Sequence, residues 1–128
     1  MTYFLDTSVC VSLIRGRSTT RSLPEVADCV VSVISAAELE IGILRSSRQI
    51  QQRQAVNHLL EFLRVLPFEI SAVVEYGRIR HALEQQGTPI GALDLLIAAH
   101  ATSLNAAVVT GNVREFRRVP GLKVVPWL

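Results

Sequence analysis

Lysine is almost missing from this chain: of thirteen cationic side chains twelve are arginine, and only Lys123 is lysine. Aromatic residues make up just 5%, and cysteine occurs twice, as Cys10 and Cys29. The two cysteines are far apart, without the paired spacing of a zinc site, and each falls in an apolar segment. Both are expected as buried, reduced thiols in a reducing compartment. No apolar run is long enough to span a bilayer, and the N-terminus has neither the basic region nor the small-residue cleavage site of a secretory signal. A cytoplasmic protein without membrane contact is expected. No glycine-rich loop ends in Lys followed by Ser or Thr, which disfavours the NTPases that cradle phosphate this way. The net charge of +2 is too small to argue for a nucleic-acid partner by itself. The kind of cation is more telling, since arginine is the side chain best shaped for bidentate contact with phosphate or carboxylate, although genomic base composition produces the same bias.

What is present is a chain of 128 residues, 49% hydrophobic, in which Ala, Val, Leu and Ile dominate. That length suits one domain over residues 1–128 with one core, and the aliphatic bias suits a buried parallel sheet covered by helices. There is no internal repeat, low-complexity tract or linker. Strand and helix patterns alternate. A strand up to Leu5 is followed by a helix to Ile14, with Gly16 as a left-handed stop. Arg15, Arg17 and Arg21 flank a Ser/Thr-rich loop ending near Pro24. A second strand is expected over Val30–Ile34. Ser35 and Glu38 then have the spacing of a capping box, opening a helix to about Ser46. Gln49–Leu63 reads as a helix with Val56, Leu59, Leu60 and Leu63 on one stripe, and Val65–Phe68 as a brief strand. A helix over Ser71–Gln86 stops at Gly87, and Thr88–Asp94 reads as a capped start of a helix to about Leu104. A strand Ala107–Thr110, a helical turn Val113–Phe116 and a last strand Leu122–Val125 close the chain. The expected fold is α/β: a central, mostly parallel, twisted sheet of four to five strands flanked by helices.

The acidic residues carry the functional signal. Asp6 ends the first strand, at the place where open α/β sheets bind ligands. Capping of the following helix by Asp6, Thr7 or Ser8 explains the same residues, and both readings stand. From Ala92 to Ala101 only Asp94 and His100 are not apolar, so this helix is expected to be largely buried, and a lone buried carboxylate is costly unless paired. The helix dipole offsets about 0.3–1 kcal/mol of that. Glu38 is accounted for by the capping box, yet it shares a face with Gly42 and Arg45, turned away from Ala36, Leu39 and Ile43. Glu40, two residues on, is rotated by roughly 200° and is expected to be peripheral. Asn112 and Glu115 are three apart and fall on one side of a helical turn. His58, His81 and His100 have no ligand spacing and read as structural.

All of these acids fall at strand ends or helix starts, which a parallel sheet collects along one edge. Two carboxylates 4 Å apart repel by roughly 4 kcal/mol at an effective dielectric near 20. Three or four together need a cation, and all-oxygen ligands point to Mg²⁺ or Mn²⁺. Such an ion suits hydrolysis of a phosphodiester without a histidine base.

At this point the motifs resemble those of the PIN-domain ribonucleases. They are Phe4-Leu5-Asp6-Thr7-Ser8, Ile34-Ser35-Ala36-Ala37-Glu38 with Gly42, Pro89 to Ala98 around Asp94, and Val109-Thr110-Gly111-Asn112-Val113-Arg114-Glu115-Phe116. Within that family the whole chain is similar to the VapC toxins of type II toxin-antitoxin pairs. The resemblance implies a metal-dependent endoribonuclease cleaving structured RNA, often tRNA. It also implies a homodimer and a cognate VapB-type antitoxin that occludes the site. Asp6, Asp94 and Glu38 would hold Mg²⁺, with Mn²⁺ able to substitute, and the last place is shared by Asn112 and Glu115 where many members have Asp. Thr7 and Ser8 would contact a ligated water or phosphate. Arg114, Arg117 and Arg118 would hold RNA phosphates. Two alternatives compete. A divalent-metal phosphatase of the haloacid dehalogenase type also places an Asp after its first strand, but needs a second acid where this chain has Ser8. A non-catalytic interaction module would keep the fold without the chemistry.

Overall fold

The computed structural model describes residues 1–16 and 23–127. Arg17 and Arg21, and most of the loop expected around them, lie outside the described residues. The elements run β1 (Tyr3–Leu5), α1 (Thr7–Ile14), β2 (Cys29–Ser32), α2 (Val33–Arg45), α3 (Gln49–Phe62), β3 (Arg64–Leu66), α4 (Ile70–Gln86), α5 (Ala92–Ser103), β4 (Ala107–Thr110), α6 (Val113–Phe116) and β5 (Val124–Pro126), with a single 3₁₀ turn at Val26–Asp28 leading into β2. The five strands form one sheet in the order β3-β2-β1-β4-β5, and every neighbouring pair is parallel.

Side-chain alternation along the strands sends successive residues to opposite faces. Phe4, Val30 and Val108 face a core built with Ile79, Leu83, Ile97 and Phe116, so α4, α5 and α6 cover that side. Leu5, Val31 and Val109 face the other core, with Val9, Leu39, Ile43 and Val56 from α1, α2 and α3. The stripe expected on α3 is there, with Val56 and Leu63 buried and Leu59 and Leu60 partly so. Cys10 and Cys29 are both buried and free, and burial pushes the Cys10 thiol up to about 12. Among the described residues no helix is long and apolar enough to cross a membrane.

The sequence reading misplaced several boundaries. The second strand ends at Ser32, and Val33 and Ile34 already belong to α2. The helix cap is therefore Ser32, whose hydroxyl accepts from the Ile34 N–H at 3.1 Å, and not Ser35, which is fully buried with no hydrogen-bond partner among the described residues. Two β-branched residues disguised the first turn of a helix as the end of a strand. Strands β3 and β5 are likewise displaced by one or two residues from the expected spans. Gly91, the residue that caps α5, supplies no side-chain bond of its own.

Ser32 serves a second partner. Its hydroxyl meets Nδ1 of the buried His100 at 2.8 Å, and the ring's other nitrogen is left to donate to the Pro67 carbonyl. Phe4 and Phe68 pack on the ring, with centroids at 4.7 and 5.4 Å. His100 is thus structural, as the sequence suggested, and burial holds its pKa below the ordinary value. Ser32→Ala removes a helix cap and strands a buried imidazole nitrogen, so it should lower stability by about 2–4 kcal/mol in urea unfolding with an unchanged m-value. A loss below about 0.5 kcal/mol would show that neither bond matters.

Candidate active site

The strand order places β4 beside β1, on the other flank from β2, and that reversal makes the crevice at their carboxyl ends the natural place for a ligand. Asp6 sits at this point and is buried. One carboxylate oxygen, Oδ1, accepts from the Val9 N–H at 3.0 Å and from the Ser8 hydroxyl at 2.6 Å. The other, Oδ2, accepts a short bond from the Thr110 hydroxyl at the end of β4. Capping and site membership are therefore the same geometry: the carboxylate that closes the first turn of α1 is also tied to β4. Each hydroxyl is held in turn by the following loop, because Gly111 N–H donates to Ser8 Oγ at 3.1 Å and Asn112 N–H to Thr110 Oγ1 at 2.8 Å. Burial raises the Asp6 pKa, and the bonds from Ser8, Thr110 and the Val9 amide oppose that rise.

Asp94 stands in the first turn of α5, which is more open than expected. Ala92 and Leu93 are exposed and Asp94 is half-buried. The Asn112 amide nitrogen donates to Asp94 Oδ2 at 3.0 Å and to Glu115 Oε2 at 2.6 Å, so one side chain bridges two carboxyl groups. Glu115 Oε2 also lies beside Gly91, 4.0 Å from where a Cβ there would stand. Burial, then a hydrogen bond shared with Glu115, pushes Asp94 up to about 7, and the nearby Asp6 charge adds to the rise. Glu115 moves below its usual range, mainly because Asp94 donates to it. The two carboxyl groups thus move each other's pKa in opposite directions, up for the more buried Asp94 and down for Glu115.

Glu38 reaches the same region along α2. Its Oε1 accepts from the Thr7 hydroxyl at 2.6 Å, directly beside Asp6 in sequence. With Gly42 and Arg45 it lines a cleft of about 300 Å³ together with Val11, Ile14, Arg15 and Leu39, so the shared face does look into a cleft. Glu40 points elsewhere and forms an exposed bidentate pair with Arg53 at 2.6 and 2.7 Å. Since Ser32 caps α2, Glu38 is not the third residue of a capping box, and that explanation for it falls away.

Thr7 and Ser8, expected to face water or phosphate, are bonded to Glu38 and Asp6. Arg114 and Arg117 are exposed beside the site, whereas Arg118 is half-buried and donates to the Pro89 carbonyl at 2.7 Å. Thr110 was not among the expected site residues. Its signal was a hydroxyl at the last position of a buried strand, immediately before the Gly111-Asn112 turn.

A family model described as the PIN domain matches residues 3–122 of the chain. The chain belongs to the PIN-domain family. It is 36% identical over 132 residues to "Ribonuclease VapC2" of Rickettsia felis, covering 99% of this chain and 98% of that protein. It is 33% identical over 128 residues to "tRNA(fMet)-specific endonuclease VapC" of Salmonella typhimurium, covering 98% and 97%. Among solved structures it resembles VapBC2 of Rickettsia felis bound to a promoter DNA fragment, with a TM-score of 0.89, 33% identity and full coverage of both chains. VapBC-1 of nontypeable Haemophilus influenzae gives a TM-score of 0.85 at 36% identity, over 99% of this chain and 98% of that one. The fold described above is thus a PIN domain of the VapC type.

In this PIN domain the donors at the crevice are all oxygens, the set a hard divalent cation prefers. Among the described residues no three His, Cys, Asp or Glu side chains already surround one point. A site with few protein ligands that keeps several waters fits such an arrangement. Asp94 leads to a pH test. Its carboxyl holds a proton up to about 7 in the fold but only to 3.8 ordinarily, so its contribution is present below the lower value and lost as pH rises through the higher one. Asp94→Asn should therefore gain Tm over the parent in chelator, by a margin that grows between about pH 4 and 7 and is flat above. A margin independent of pH would show that Asp94 titrates normally.

Proposed function

We propose that the protein is a Mg²⁺- or Mn²⁺-dependent endoribonuclease toxin of the VapC type, held in check by a VapB-type antitoxin. The observation that carries this is the gathering of Asp6, Asp94, Asn112 and Glu115 around the β1/β4 crevice, with Glu38 adjoining through Thr7. Asp6, Asp94 and Glu38 would hold the ion, and Asn112 and Glu115 would orient the attacking water. When bound, the ion supplies a more acidic water and neutralises charge developing on the phosphodiester. Asn112 and the two hydroxyls, Ser8 and Thr110, keep the carboxylates aimed before substrate arrives. Arg114 and Arg117, both exposed beside α6, are placed to hold RNA phosphates. Structured RNA, with tRNA first among candidates, is the substrate this reading favours, since one relative is named for cleaving tRNA(fMet).

The partners follow from surface as well as kinship. Ile70, Val73 and Val74 lie on one face of α4 and are at least half exposed, as are Leu44 and Ile50 around the start of α3. Apolar residues left open in groups suit contacts with other chains, here a second copy and an antitoxin. The solved neighbours are named as VapBC assemblies.

Purified protein incubated with total RNA should yield a discrete set of ends with Mg²⁺ and none with chelator. Asp6→Asn should reduce cleavage by about a hundredfold or more while its circular dichroism spectrum stays that of the parent. Cutting that persists in chelator would overturn the metal-dependent reading. Inactivity of the parent on all RNA would favour the non-catalytic interaction module.

A further inference from the structure

The segment that leads into α5 is held by a side chain from the turn that follows α6. Residues 115 and 118 are three apart in sequence and joined by a backbone bond, Arg118 N–H to the Glu115 carbonyl at 3.0 Å. The Arg118 guanidinium donates through Nη1 to the Pro89 carbonyl at 2.7 Å. The Glu115 side chain stands beside Gly91, two residues further along, with Oε2 4.0 Å from where a Cβ there would sit. A cation therefore holds an exposed carbonyl of this short loop, and a carboxylate lies against its end. At its start Gly87 turns the chain at a φ of +67° and the Thr88 N–H donates to the Leu83 carbonyl at 3.0 Å, Ile90 packs on the core, and Gly91 caps α5 without a side chain, so the Pro89 carbonyl is the group that Arg118 holds. Three residues after Gly91 comes Asp94.

We propose that Arg118 is a positioning residue for the catalytic carboxylates, fixing Asp94 against Asn112 and Glu115 by clamping the Pro89 carbonyl, and is not a contact for RNA phosphate. Arg118 is partly buried as a residue and its guanidinium is already committed to the Pro89 carbonyl, unlike the exposed Arg114 and Arg117 nearby. A charge-assisted bond to a carbonyl is stronger than a neutral one, and a planar guanidinium holds direction as well as distance. Losing it frees the loop that delivers Asp94, and a misplacement of about 1 Å at a reacting group is enough to cost roughly a hundredfold in rate.

The kinetic side of this proposal rests on the ribonuclease reading, so it is paired with a measurement that does not. Arg118→Ala should lower kcat on RNA by about 10- to 100-fold with KM within about twofold, Arg118→Lys should recover most of kcat by restoring one donor to the carbonyl, and Arg118→Met should not. In hydrogen-deuterium exchange of the metal-free protein, Arg118→Ala should speed the amides of Leu95 and Leu96 while those of α4 keep the parent rate. A raised KM with a flatter salt dependence and unchanged kcat would make Arg118 a phosphate contact and overturn the proposal. So would exchange that is unaltered in α5 or faster throughout the molecule. If the parent cuts no RNA, the ribonuclease reading fails, and the exchange pattern alone decides the clamp: faster at α5 supports it, unchanged sinks it.

Discussion

Two carboxyl groups share one end of a helix in this protein, and much of the surrounding architecture makes that tolerable. Asp94 and Glu115 meet at the start of α5, where the aligned peptide dipoles favour negative charge, but by too little to hold two anions unaided. A bridging amide, Asn112, adds to this by donating to both carboxyl groups. An aspartate at position 112 would add a third negative charge and remove both donors. With asparagine there, one amide holds the two carboxyl groups together.

Asp6 meets the same difficulty by different means. It is more deeply buried than Asp94, and no carboxyl group hydrogen-bonds to it; two hydroxyls and an amide surround it instead. Both hydroxyls take their own hydrogen bonds from the Gly111 and Asn112 amides, so the loop after β4 sets their direction. Parallel pairing of β1 with β4, aligning Leu5 with Val109, makes this possible, because it brings residues more than a hundred positions apart to the same level. The sheet order is thus a cause of the chemistry as well as a frame for it.

Much of this was legible in the sequence. The alternation of β-branched runs with helical stripes gives the five strands and six helices in order, and Ala107–Thr110 and Val113–Phe116 emerge with the expected bounds. The site acids stand out because charged residues in nearly all-apolar segments need a reason. What stayed hidden depends on contacts between segments distant in the chain. Val33 and Ile34 look like strand because their side chains suit either a sheet or a helix, and only the hydroxyl of Ser32, already bonded to Ile34, shows where the helix begins. Arg118 looks like its neighbours Arg114 and Arg117 until the Pro89 carbonyl is seen in front of it. Thr110 offers only a hydroxyl at the end of a buried strand, and its role comes from the proximity of Asp6. The exposed first turn of α5 was missed because leucine and alanine there count as apolar whether or not anything covers them.

The bond between His100 and Ser32 joins two helices that carry acids of the site. His100 lies near one end of α5, whose other end bears Asp94, and Ser32 starts α2, which bears Glu38. Both helices are thereby pinned to a common rivet buried between the sheet and α5, behind the cleft. Sideways drift of either helix would strain that pin, so a buried polar contact away from the acids themselves resists displacement of both helices.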